Sequence, residues 1–119
     1  MKTEIDKIEI KGITYVPENS ITQNTKVIEL DGTESVWVIG KKYLVRTVTM
    51  IQLGELTRVT ERELVMKNAC WVADTGRFST AVSTGELNEV EMFYTDVIIS
   101  RGALVDAVEW LHNLPNKTK

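Results

Sequence analysis

The sequence predicts a mainly β fold, α+β at most: a small antiparallel β meander, barrel-like or sandwich, with one short helix. Three observations predict it. Short runs rich in Val, Ile, Thr and aromatic residues recur at close spacing, and such side chains suit a pleated surface. Gly, Asp-Gly and Pro punctuate the runs, as turns do. One segment, Arg77–Ser83, carries apolar residues at helical spacing.

Ile5, Ile8 and Ile10 lead to Gly12, and Ile13-Thr14-Tyr15-Val16 stops at Pro17, which has no N–H for a ladder. This reads as strand, turn, strand. Residues 18–25 are polar and read as loop. Lys26–Leu30 forms a short strand and Asp31-Gly32 a turn. Val36–Ile39 ends at Gly40, Tyr43–Met50 follows, and Leu53–Thr60 is the return strand. Glu63–Lys67 and Cys70–Ala73 read as two more strands, and Asp74-Thr75-Gly76 as a turn. Phe78, Ala81 and Val82 share a face at i, i+3, i+4, so Arg77–Ser83 is the expected helix, with Gly85 its stop. Asp96–Ser100 is a strand and Arg101-Gly102 a turn. Val105–Leu111, around Trp110, fits a strand or a short helix. The expected division is an N-terminal arm or hairpin over 1–35, a β-rich core over 36–115 and a disordered tail over 116–119.

A length of 119 residues allows one core. The net charge of −3 weighs against non-specific DNA or RNA binding, which calls for a basic face. The lone Cys70 excludes an internal disulfide. The charged start, Met1–Asp6, lacks the apolar run of a signal peptide, and no run approaches a bilayer span. The expected location is a reducing cytoplasm.

Neither standard phosphate-binding glycine loop is present. One His and one Cys cannot build a structural zinc site. His112 reads as a surface or rim side chain, Cys70 as a small buried hydrophobe, and Glu89 with Glu91 as a solvated face. Asp74-Thr75-Gly76 after an apolar strand matches the aspartic-protease loop, where two close carboxylates share a proton. A chain this short could do so only as a homodimer, and Arg77 beside the loop would hold the carboxylate charged. That activity is the remote alternative. Arg46, Arg58, Arg77 and Arg101 lie in or beside strands and turns rather than in a charge run. Arg suits bidentate contact with phosphate. Trp71 and Phe78 flank the 74–77 turn and could sandwich a base. Thr47, Thr75, Ser79 and Thr80 add hydroxyl donors. The plainer reading is surface ion pairs and core aromatics.

The runs Gly40–Thr47, Gly54-Glu55-Leu56, Glu63–Ala69 with Trp71, Asp74–Ser79 and Arg101–Trp110 resemble a family of small phage-encoded proteins. Its signature is a Val-Arg-Thr strand, a Gly-x-Leu strand, an Asn-Ala-x-Trp strand and a Ser-containing short helix. The resemblance covers roughly residues 40–114. The sequence departs from the commoner pattern at Val48-Thr49-Met50-Ile51, where many members carry Ser-Ala-Gly, and at Ala69-Cys70, where many carry paired Arg. The resemblance extends to anti-CBASS sponges, which sequester cyclic oligonucleotide second messengers in the infected host's cytoplasm. It implies immune evasion without catalysis, a cyclic di- or trinucleotide ligand, no cofactor or metal, and no polymer or membrane partner. Closing a multi-contact pocket with small chains implies a homo-oligomer. The ligand set would be Arg46, Thr47, Trp71, Thr75, Arg77, Phe78 and Ser79. The alternative is a protein-interaction module, a virion accessory or inhibitor of a host protein, using strand edges.

Overall fold

β-branched residues place the centre of the chain in an antiparallel sheet, as expected. The structure, a computed structural model, describes residues 8–10, 13–15 and 24–119. Strands β1 (Ile8–Ile10) and β2 (Ile13–Tyr15) form a hairpin, Ile10 opposite Ile13. The strand start expected at Ile5, the stop at Pro17 and most of the 18–25 loop lie outside the described residues. β3 (Thr25–Ile28) pairs with β4 (Glu34–Ile39) across a turn in which Asp31 accepts the Thr33 N–H at 3.0 Å.

The main sheet contains β5 (Lys42–Thr47), β6 (Ile51–Val59), β7 (Glu63–Asp74), β8 (Glu89–Met92), β9 (Val97–Ser100) and β10 (Leu104–Glu109). Its order is β10-β5-β6-β7-β8, with β9 on the other half of β7. A 3-10 turn, Arg101–Ala103, is all that separates β9 from β10. In a flat sheet those strands would stand four spacings apart, about 19 Å. The four steps from Ser100 to Leu104 reach at most about 14 Å. The sheet must therefore curl on itself, which gives the barrel-like form.

Backbone irregularities allow the curl. Lys67 pairs with Glu55 and Cys70 with Leu53, so β7 carries one extra residue at Asn68, whose φ is 52°. On β6 the extra residue falls between Leu56 and Arg58. Bulges of this kind bend a strand and raise its twist. They also shift the alternation. Leu64 and Met66 face one side of β7, and beyond the bulge Ala69 continues that side while Cys70 and Val72 face the other. The two strands expected over 63–73 are thus one continuous 12-residue strand, broken in phase but not in pairing.

Each face carries a core. The inner one joins Tyr43, Val45, Leu56, Val59, Leu64, Met66 and Ile99 to Val27 and Ile39 of the β3–β4 hairpin. The other joins Leu44, Leu53, Cys70 and Val72 to Ala81, Leu87, Val90 and Trp110. The helix α1 (Phe78–Thr84) closes this second side and ends at Gly85, left-handed at φ 85°. A Cβ there would stand 2.7 Å from the His112 ring. His112 is half-buried rather than purely superficial: Nε2 lies 2.7 Å from the Val82 carbonyl, and its ring meets Trp110 edge-on. The Trp110 segment is strand up to Glu109. The tail expected to be disordered lies along β8 instead. Lys119 and Val90 exchange both backbone hydrogen bonds, and the Lys119 ammonium donates to the Leu87 carbonyl at 2.8 Å. Backbone pairing holds it, a force its polar composition does not announce.

Arg101 pins the closure. Its guanidinium makes a bidentate pair with Glu29, at 3.2 and 3.0 Å, and donates to the Thr60 carbonyl at 2.7 Å. Its own N–H donates to the Arg62 carbonyl, while Val48 N–H donates to Ala103. One side chain thus ties the β3–β4 hairpin, the β6–β7 turn and the 3-10 turn together. The Arg101 hydrogen bonds hold the Glu29 carboxyl below its usual 4.5. A depressed carboxyl stabilises the fold above its unfolded pKa and loses that contribution as pH falls through the folded value. The urea midpoint should therefore drop below pH 4.5, and Glu29→Gln should show a smaller drop in the same window. A second expectation concerns the crossing of β6 and β7. A Cβ on Gly54 would meet Ala69 Cβ at 2.9 Å and Met66 Cβ at 3.1 Å. Gly54→Ala should cost about 1–3 kcal/mol by overpacking, read as a lowered thermal midpoint.

Candidate functional site

The curl places the ends of β5, β6 and β7 around a cleft of about 460 Å³ at the rim. Arg46 and Thr47 end β5, Met50 begins the return, Trp71 comes from β7, and Val48 and Val105 stand on the rim. The register explains the grouping: Arg46 pairs with Ile51, and Gln52 with Trp71. Arg46 and Trp71, 25 positions apart in the chain, thus come from two strands that flank the same partner.

Arg46 is held on two sides. Its Nε donates to Asp106 Oδ1 at 2.7 Å, and Nη2 donates to Oδ2 of the same carboxylate. Its guanidinium carbon lies 5.5 Å from the centre of the Phe78 ring, within cation–π range. The hydrogen bonds of the pair hold the Asp106 carboxyl below its ordinary value and raise Arg46 above its own. Both side chains are about half exposed, so the pair contributes little to stability. It fixes a planar cation at the cleft edge. Thr47 closes the β5–β6 turn: its hydroxyl donates to the Met50 carbonyl at 2.9 Å and accepts the Met50 N–H at 3.0 Å.

Arg46, Thr47 and Trp71 line one cleft, and Phe78 touches it through Arg46. The other three residues of the expected ligand set stand apart. Thr75 donates to the Gly76 carbonyl at 2.7 Å within its turn. Arg77 precedes α1 and is exposed; its carbonyl accepts the Ala81 N–H. Ser79 is exposed on the first helical turn. The 74–79 turn and helix lie beside β7 in the chain, but the cleft is walled by the opposite turn, residues 47–51. Sequence order pointed to the nearer segment; the register of β5 on β6 selects the other.

Asp74 accepts the Gly76 N–H at 2.8 Å, the role of a turn-forming Asp. Arg101 is committed to the closure. One polar group was not singled out from sequence: Gln52 is 9% exposed, and its Oε1 finds no hydrogen-bond donor among the described residues. It sits opposite Trp71 on the neighbouring strand. The signal available was the polar residue in an otherwise apolar run, Ile51-Gln52-Leu53. β8 was missed as a strand for a related reason. Glu89-Val90-Glu91-Met92 alternates over only four residues, and its two carboxylates also fit a solvated loop. Those two Glu are exposed, as expected, while Val90 is buried.

Among the described residues no group of three or more His, Cys, Asp or Glu could hold a metal, and no helix is long and apolar enough to cross a membrane. Cys70 is fully buried, and burial pushes its thiol up to about 11. No family model, curated protein or solved structure matches the chain. A thiol so buried is a poor nucleophile. Iodoacetamide near neutral pH should leave Cys70 unmodified in the native protein and alkylate it in denaturing urea, read by intact mass.

Proposed function

We propose that the protein is a non-catalytic phage immune-evasion protein that binds and sequesters a cyclic oligonucleotide second messenger. The observation that carries this reading is the cleft that gathers Arg46, Thr47 and Trp71. A base can stack on the Trp71 ring, and a phosphate oxygen pair matches the planar guanidinium of Arg46. This cleft gathers only part of the set that the resemblance implied. Arg46 is its one charged wall residue among the described residues, and Asp106 occupies the face of Arg46 that a phosphate would take. Binding must therefore exchange a carboxylate for a phosphate. A single Arg leaves the second phosphate of a cyclic dinucleotide to another subunit, so the proposal includes a homo-oligomer with the ligand between copies. The host cytoplasm is the compartment this function requires.

A second reading, the protein-interaction module, draws on the apolar side chains left in solvent. Val48 is 75% exposed and Val105 62%, both at the cleft rim, and Val105 lies on β10, an edge strand of the sheet. A peptide strand added to β10 would cover them.

Thermal unfolding against cyclic di- and trinucleotides separates the two. A ligand at a hundred times its dissociation constant should stabilise the protein by about 2.7 kcal/mol, a rise of several degrees. Arg46→Ala and Trp71→Ala should each abolish the rise. Asp106→Asn should enlarge it, because it frees Arg46 from its competitor. No rise with any nucleotide moves the weight to the interaction module, and enhanced binding is not expected of Asp106→Asn under that reading.

A further inference from the structure

A second cleft, of about 370 Å³, opens at the β7 bulge and shares no wall residue with the first. Its walls include Asn68, Tyr94, Thr95, Asp96 and Asn116. Asn68 and Tyr94 are the two non-glycine residues with positive φ among the described residues, at 52° and 61°. They are linked: Phe93 N–H donates to the Ala69 carbonyl at 3.1 Å, so each sits one residue from the same hydrogen bond.

The bulge explains Asn68, and Asn tolerates the left-handed region. Nothing in the fold explains Tyr94. A bulky aromatic is a poor choice for positive φ, and glycine or Asn would serve the bend better. Its side chain does not repay the strain through packing, because the residue is 82% exposed. Strain held without a packing return is a mark of function. The polar groups beside it are unclaimed as well: Asn68, Thr95, Asp96 and Asn116 make no side-chain hydrogen bond or ion pair with described residues, and Asn68, Thr95, Asp96 and Asn116 are all solvent-exposed.

We infer that this cleft binds a neutral carbohydrate, with Tyr94 as the platform for one face of a sugar ring. The composition selects that class. Two amides and a hydroxyl can each donate and accept, and the Asp96 carboxylate accepts, which suits adjacent hydroxyl pairs. No Lys, Arg or His among the described residues lines the cleft, so a phosphate would meet Asp96 with no compensating cation. An exposed, apolar ring face takes the C–H face of a pyranose. The volume lies within the usual small-molecule range, roughly 300–1,000 Å³.

The test uses the full chain, labelled with ¹⁵N, titrated with glucose, galactose, mannose and N-acetylglucosamine and their β-linked disaccharides, and separately with tetramethylammonium. One or more sugars at millimolar concentration should move the amide signals of Asn68, Tyr94–Asp96 and Asn116. Tyr94→Gly relieves the strained φ, so it should hold or raise the thermal midpoint while weakening the sugar roughly tenfold, the loss of one stacked ring. Asp96→Asn, an isosteric change at an exposed site, gives an independent folded variant that should also bind more weakly. No shift with any sugar, shifts mapping elsewhere, full affinity in Tyr94→Gly, or a lowered midpoint in that variant would each overturn the inference. A response to tetramethylammonium alone would overturn the ligand class in favour of a cation held by Tyr94 and Asp96.

Discussion

The three residues Arg101–Ala103 constrain this molecule more than any other segment. They join strands on opposite sides of the main sheet, and they are too short to do so unless the sheet rolls up. Bulges in β6 and β7 make the roll possible, and glycine at position 54 lets the two strands approach at the crossing. The rolled sheet then needs filling. Ile99, Leu64, Val59 and Val45 do so from within, and the β3–β4 hairpin plugs the opening with Val27 and Ile39. The Arg101–Glu29 pair clamps that plug to the link. The clamp is an ion pair with both side chains about three-quarters shielded and with carbonyl support, and it joins three segments.

Both clefts follow from the same geometry. The first lies where β5, β6 and β7 end at the rim; the second lies where the β7 bulge meets the bend between β8 and β9. β7 serves both because its phase changes at Asn68. Before that residue its even positions face inward, and after it they face α1 and Trp110. A strand without the bulge would have put Cys70 and Val72 on the inner face and left α1 without a surface to cover.

Much of the fold was legible in the sequence, for local reasons. β-branched runs, Asp31-Gly32 and the i, i+3, i+4 spacing of Phe78, Ala81 and Val82 speak through neighbouring residues, and the strands and helix follow them. The failures are nonlocal. The continuity of β7 rests on pairing with β6, which the Asn68 break in pattern conceals. The ordering of 116–119 rests on the free edge of β8, itself hidden behind two Glu. The site divides in the same way. Arg46, Thr47 and Trp71 share the rim cleft, whereas Thr75, Arg77 and Ser79, close to Trp71 in the chain, do not line it. Cross-strand register, not chain distance, decides which turn faces Trp71. The Arg46–Asp106 pair joins residues 60 positions apart, and no local pattern announces it.

The proposed function stands on the rim cleft, and the three tryptophans allow it to be probed inside one spectrum. Trp71 lines the cleft, Trp37 packs on the inner core, and Trp110 is buried under the second core. The most direct measurement is the ¹⁵N-indole spectrum of the protein during titration with cyclic di- and trinucleotides. The account predicts that one of them moves the Trp71 indole signal saturably while those of Trp37 and Trp110 stay in place. Indole signals that all remain fixed through the whole panel would contradict it.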